Sequence, residues 1–352
     1  MSFYEERLER DIADIRQRIA TVGKWVDDAL KEGVHALLTH NVEKAARVVL
    51  GDLRINREIR KIDSLCHAFV ARHLPSAGHL RFVSSVLRLS LEIERVGDYA
   101  VSLGRHTEQL TSRPPDRLAR DIELMAEPAR RMFNQAVKSF VEGNAELARG
   151  TKAMAKPLET SFRKVFADLV EQGEKGGEDL RSLFSLLVVF NRLGRVGDQA
   201  KNICEETLFA VAGETKRPKV FRILFLDERN DGAGLMAEAY ARKAFPECGV
   251  YHSAGWKAAD TIAAPWRDAL VANGLDSSDL KPSALDLTAD EAAAYHLVIS
   301  LGGDPRQHLP EGVPFHTVCL RWPLPDTPET ALDELRGRLT DLMDTLRGPE
   351  AT

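Results

Sequence analysis

Cysteine is scarce: four residues in 352, Cys66, Cys204, Cys248 and Cys319, lie far apart and without C-x-x-C spacing. That pattern argues against a disulfide framework and a thiolate zinc site, and the four read as reduced core thiols. Long apolar runs are missing as well. The longest, 183–190, is broken by Ser185, far short of the roughly 20 residues a membrane-spanning helix needs. Neither sign of charge dominates, with 48 basic against 53 acidic residues, so nothing points to nucleic acid or an anionic membrane surface as a partner. Residues 1–4 run into a charged amphipathic pattern without the apolar centre of a signal peptide. The expectation is a cytoplasmic protein of two or three domains, each able to bury a core.

What is present is one phrase written twice. Ile93-Glu94-Arg95-Val96-Gly97-Asp98-Tyr99-Ala100 returns 100 positions later as Leu193-Gly194-Arg195-Val196-Gly197-Asp198-Gln199-Ala200. Around it Val86, Leu89, Ile93, Val96, Ala100 and Leu103 step by threes and fours, as do Leu186, Val189, Leu193, Val196, Ala200 and Ile203. Both copies are therefore amphipathic helices in one register. A repeat this long holds a helical bundle of its own. Turn residues cluster at 39–41, 74–78, 111–116, 142–144 and 171–177, which predicts three helices per copy, over 1–111 and 116–213.

Beyond Gly213 the pattern changes. A polar linker leads to Val220-Phe221-Arg222-Ile223-Leu224-Phe225-Leu226, the pattern of a buried strand. Helices are expected at 235–245, 263–273 and 328–346, and strands near 250–252, 297–301 and 316–320. This alternation predicts a separate α/β domain over 219–347, a parallel sheet covered on both faces.

The acids of the first copy stand out. Glu94 and Asp98 are one turn apart on the same side of a helix, beside its apolar stripe, where unpaired like charges are unfavourable. A second helix reads Val48, Asp52, Ile55, Ile59, Ile62, Cys66, Phe69, an apolar stripe with an aspartate in its second position. Three carboxylates converging on a bundle interior call for a cation, and Asn56, one turn after Asp52, could add an amide oxygen. All-oxygen ligation suits iron, manganese, magnesium or calcium, and zinc less well. Ion pairs with Arg57, Arg88 or Arg95 are the alternative, and spacing alone leaves both readings open.

The phrases Glu94 to Ala100 and Arg195 to Glu206, with Leu80-Arg81-Phe82 upstream and Gly213-Glu214 at the end, resemble the paired signature of the PhoU family over about residues 3–214. The resemblance implies two three-helix bundles, metal (often iron) held by acidic E/D-x-x-x-D motifs, and a regulator repressing the phosphate-starvation response. Its partners would be the ATPase of a phosphate ABC transporter and a sensor histidine kinase, reached at the inner membrane, and a homodimer is the default assembly. In copy two Gly194 replaces Glu94 and, in an ungapped register, Lys152 falls at the position of Asp52. The metal role is therefore carried to Asp52, Glu94 and Asp98, with Asn56 as an additional ligand and Asp198 a lone candidate in copy two.

Asp227-Glu228-Arg229-Asn230-Asp231-Gly232-Ala233-Gly234-Leu235-Met236-Ala237-Glu238-Ala239 in turn resembles the phosphate loop of low-molecular-weight tyrosine phosphatases and arsenate reductases, over about residues 219–346. Asp227 stands where that family has its nucleophilic cysteine and Ala233 where it has its phosphate-gripping arginine, so thiolate chemistry and anion anchor are both gone. Asp326 matches the general acid, but a loop-capping role fits it as well. The expectation is a non-enzymatic regulator with a pseudophosphatase domain. A phosphatase or arsenate reductase is the alternative, and a metal-binding scaffold a third reading.

Overall fold

The computed structural model describes residues 3–175, 179–216, 218–309 and 317–348. The chain forms two compact units, 1–216 and 217–352.

The first unit is helical: α1 (Phe3–Thr39), α2 (Val42–His73), α3 (Ala77–Gln109), α4 (Asp116–Glu142), α5 (Ala145–Ala153), α6 (Ala155–Lys175) and α7 (Leu180–Ala212). Local chemistry sets the breaks. Asn41 caps α2 by accepting the Lys44 N–H at 2.8 Å, and Asn144 caps α5 by accepting the Leu147 N–H at 2.9 Å. Leu74 ends α2 in the left-handed region (φ 43°) while 86 % exposed. No packing is lost there, so Leu74→Gly is expected to stabilise the unit by about 0.5–1 kcal/mol in chemical denaturation.

Three sequence expectations need correction. The second helix of copy two is broken: α5 stops at Ala153 and α6 starts at Ala155, because Pro157 has no N–H to give the Ala153 carbonyl and its ring crowds that oxygen. The ungapped register also fails. The capping asparagines 41 and 144 are 103 apart, so Ala155, not Lys152, is the counterpart of Asp52. The break foreseen at 171–177 begins later, since α6 runs to Lys175; residues 176–178 lie outside the described residues.

The two helix sets share one core. Its buried side chains run from Leu8 to Leu208 without division, and α3, the third helix of copy one, packs on α7, the third of copy two. Polar pairs cross that seam. Gln199 Nε2 donates to the Tyr99 hydroxyl at 2.9 Å, Asn202 donates to Glu92 at 3.3 Å, and Arg88 pairs with Glu206 at 2.8 Å. Between α1 and α4, Arg130 grips Asp27 with both arms, Nε to Oδ1 at 2.8 Å and an Nη to Oδ2 at 2.9 Å. Cys66 and Cys204 are free core thiols, and burial pushes each up to about 12.

The second unit follows the order β1 (Phe221–Asp227), α8 (Ala233–Ala244), β2 (Gly249–Gly255), α9 (Ala264–Ala272), α10 (Ala289–Ala292), β3 (Leu297–Ser300), β4 (Val318–Arg321) and α11 (Pro328–Arg347). The strands form one parallel sheet in the order β2-β1-β3-β4. The strand expected over 316–320 is β4, and His316 lies outside the described residues. Alternate residues of β1 face opposite ways. Ile223 and Phe225 join buried residues of α8, α9 and α11 in one core. Leu224 and Leu226 face Ala254, Tyr295 and Val298, with Leu285, Leu287 and Leu309 packed over them. The sheet is covered on both faces, the second of them by connecting segments that carry Leu285, Leu287 and Leu309.

Candidate functional site

Two glycines of α3 set the spacing between α2 and α3. A Cβ on Gly97 would meet Asp52 Oδ1 and Ile55 at 3.5 Å, and one on Gly104 would meet the Ala45 carbonyl oxygen at 3.0 Å and Val49 at 3.1 Å. Seven residues apart, they occupy one face of α3 and let α2 lie close along it. The close approach places Asp52 against the helix segment that carries Asp98.

Asp52 is half-buried on the inner side of α2. Asn56 Nδ2 donates to its Oδ2 at 2.6 Å, whereas Asp52 Oδ1 and Asn56 Oδ1 are buried without a hydrogen-bond partner. Asp98 sits at the solvent edge. Burial of its inner side raises its pKa first and the neighbouring Asp52 charge raises it further, against the opposing pull of Arg105 and Arg192. Glu94 is half-buried one turn away on α3. Of the three arginines offered as alternative partners, Arg88 pairs with Glu206 and Arg95 with Glu92 at 2.9 Å. The structure thus brings Asp52, Asn56 and Asp98 together. Among the described residues no three His, Cys, Asp or Glu side chains are grouped as metal ligands.

This donor set fits a hard cation: two orphaned buried oxygens, one of them a carboxylate's, beside a second carboxylate. Further oxygen ligands would have to come from Glu94 or water. In copy two the set is dismantled. Leu158 covers Gly197, Ala155 takes the Asp52 position, and exposed Asp198 pairs with Arg195 at 3.2 Å. Lys152 binds Glu205 at 2.9 Å, two turns further along α7.

Asp98 gives a pH test. Because its carboxyl is raised on folding, the native state holds its proton where the unfolded chain has released it. Without a cation, stability should therefore fall as pH rises from the ordinary aspartate value through the raised one. Asp98→Asn is expected to flatten that part of the profile, measured as denaturation midpoint against pH in chelator.

In the α/β unit, Asp227 ends β1 and its side chain turns into the loop that follows. Its Oδ1 accepts the Asn230 N–H and its Oδ2 the Gly234 N–H at 2.7 Å. Cys248 is buried and Cys319 half-buried, both outside this loop, and Asp326 is exposed ahead of α11. The seam pairs and the Arg130 clamp went unread in the sequence; the equal rank of Tyr99 and Gln199 in the two copies was the available signal.

Residues 19–107 and 122–207 each match the PhoU domain. The helical unit belongs to the PhoU family. The PhoU homolog of the phosphate-specific transport system from Synechocystis sp. is 25 % identical over 213 residues, 60 % of this chain and 93 % of the relative. The Escherichia coli accessory protein PhoU is 24 % identical over 207 residues, 59 % of this chain and 86 % of the relative. The crystal structure of PhoU from Pseudomonas aeruginosa superposes with a TM-score of 0.56, at 24 % identity, over 58 % of this chain and 99 % of that one. The match covers the helices and leaves the α/β unit as an addition to them. No helix among the described residues is long and apolar enough to cross a membrane.

Proposed function

We propose that this protein regulates phosphate uptake as an accessory of a phosphate transport system, restraining the starvation response through protein binding that depends on a divalent or iron-type cation at Asp52, Asn56 and Asp98. The possession of two PhoU domains in one helical unit carries this reading. Relatives named as accessory proteins of phosphate-specific transport support it, and the orphaned Asp52 and Asn56 oxygens support the cation. The cation neutralises the facing carboxylates, while the chain's own groups hold α2 and α3 in one geometry. The surface so fixed is offered to the transporter ATPase or to a sensor histidine kinase.

The α/β unit acts by binding rather than by catalysis. Both Asp227 oxygens accept backbone N–H groups, which lowers that carboxylate's nucleophilicity toward a phosphoryl group. Deletion of the gene is expected to raise a phosphate-starvation reporter in phosphate-rich medium. Asp52→Asn with Asp98→Asn should fail to restore repression and should lose bound metal in elemental analysis, while keeping the helical circular dichroism. An unchanged reporter on deletion would remove the proposal.

A further inference from the structure

The loop between β1 and α8 is built to hold an anion. The carbonyls of Glu228, Arg229 and Asp231 point away from it, accepting the N–H groups of Lys257, Ala259 and Ala263, each at 2.8 Å. A trans peptide sets its N–H opposite its carbonyl, so the amides of Arg229, Asn230 and Gly232 are turned to the inner side. The first turn of α8, a 12-residue helix, adds the Gly234 N–H and the positive end of the helix dipole. Such a concave run of amides attracts an oxyanion.

The inside of the loop is occupied. The Asp227 carboxylate lies there, taking the Asn230 and Gly234 N–H groups. Burial pushes its pKa up and the backbone donors pull it back. A second polar group lies with it: Asn230 is fully buried, and neither atom of its side-chain amide has a hydrogen-bond partner. A Cβ on Gly234 would lie 2.8 Å from Asn230 Oδ1 and 2.9 Å from Asp227 Oδ2, so amide and carboxylate close on the same point. Trp266 lies across Gly232, where a Cβ would come within 2.6 Å of the indole nitrogen.

We propose that the loop 228–234 is an oxyanion cradle whose permanent ligand is the chain's own Asp227 carboxylate, which closes it to free phosphate. The side chain stands where the oxygens of a bound anion would be, and supplies the negative charge the amides require. Removing it leaves a vacant site for a tetrahedral oxyanion. This inference is independent of the cation site in the helical unit.

The test uses the full chain with Asp227→Gly and Asp227→Asn, and inorganic phosphate or formate as the probe. Wild type should show no line broadening of the phosphate signal in phosphorus NMR and no calorimetric uptake. Asp227→Gly should bind phosphate and gain about 2–4 °C in melting temperature at saturation over a chloride control of equal ionic strength. Formate, which mimics the lost carboxylate, should stabilise it likewise. If Asp227→Gly unfolds when no such anion is present, recovery of its circular dichroism by either anion supports the proposal equally. Asp227→Asn turns an NH2 or a single oxygen toward two donors, and should be less stable than wild type and still closed to phosphate. Phosphate binding by wild type, a glycine variant indifferent to both anions, or an asparagine variant as stable as wild type would each overturn it.

Discussion

Arg130→Ala is expected to destabilise the helical unit by about 2–4 kcal/mol, between the small worth of a surface pair and the cost of breaking a buried one. Arg130 and Asp27 are 19 % and 16 % exposed and joined by two parallel hydrogen bonds. Alanine leaves Asp27 at the α1–α4 contact without its bidentate partner. The loss should appear as a lower urea midpoint of the helical signal. Replacing both partners by apolar residues of similar size, Asp27→Leu with Arg130→Met, should bring the midpoint back to within about 1 kcal/mol of wild type. Equal damage from the single and the double change would mean that packing, not the unpaired charge, sets the cost.

Gly104→Val should cost about 3 kcal/mol or more, at or above the top of the usual range for overpacking. The nearest obstacle to a Cβ is the Ala45 backbone oxygen at 3.0 Å, which moves only if α2 moves. Pushing α2 off α3 also draws Asp52 away from Asp98, so the Asp98 carboxyl should drop back toward its ordinary value and metal uptake should weaken. Asp98 titration by NMR and elemental analysis read these effects separately from stability. Gly51→Ala is the control: nothing lies within 4 Å of a Cβ there, and the better helix former should stabilise α2 by up to about 1 kcal/mol.

The duplication, the turns and the strands were legible because each is written in adjacent residues. Asn41 and Asn144 announce helix starts within four positions of themselves, and the β1 run is bounded by its own turn chemistry. Longer-range facts were not. The equivalence of Asp52 with Ala155 depends on a three-residue change of offset between the caps and the third helices. Pro157 was the visible clue to the break at Met154 but did not fix the register. Spacing alone did not show where Arg88 and Arg95 point, which is to Glu206 and Glu92. In the α/β unit the sequence placed Asp227 at the end of the first strand, but did not show that its side chain folds inward onto the loop amides.

The meeting of Tyr99 with Gln199 across the α3–α7 seam bears on why a fused duplicate differs from a dimer. Two identical chains related by a twofold axis must set the same residue against itself wherever equal positions meet. Tyrosine facing tyrosine or glutamine facing glutamine would each have to suit both sides at once. Covalent fusion lifts that restriction, so donor and acceptor can be divided between the halves. The same freedom allows one half to keep its acids while the other gives them up, a division of labour unavailable to an assembly of equals.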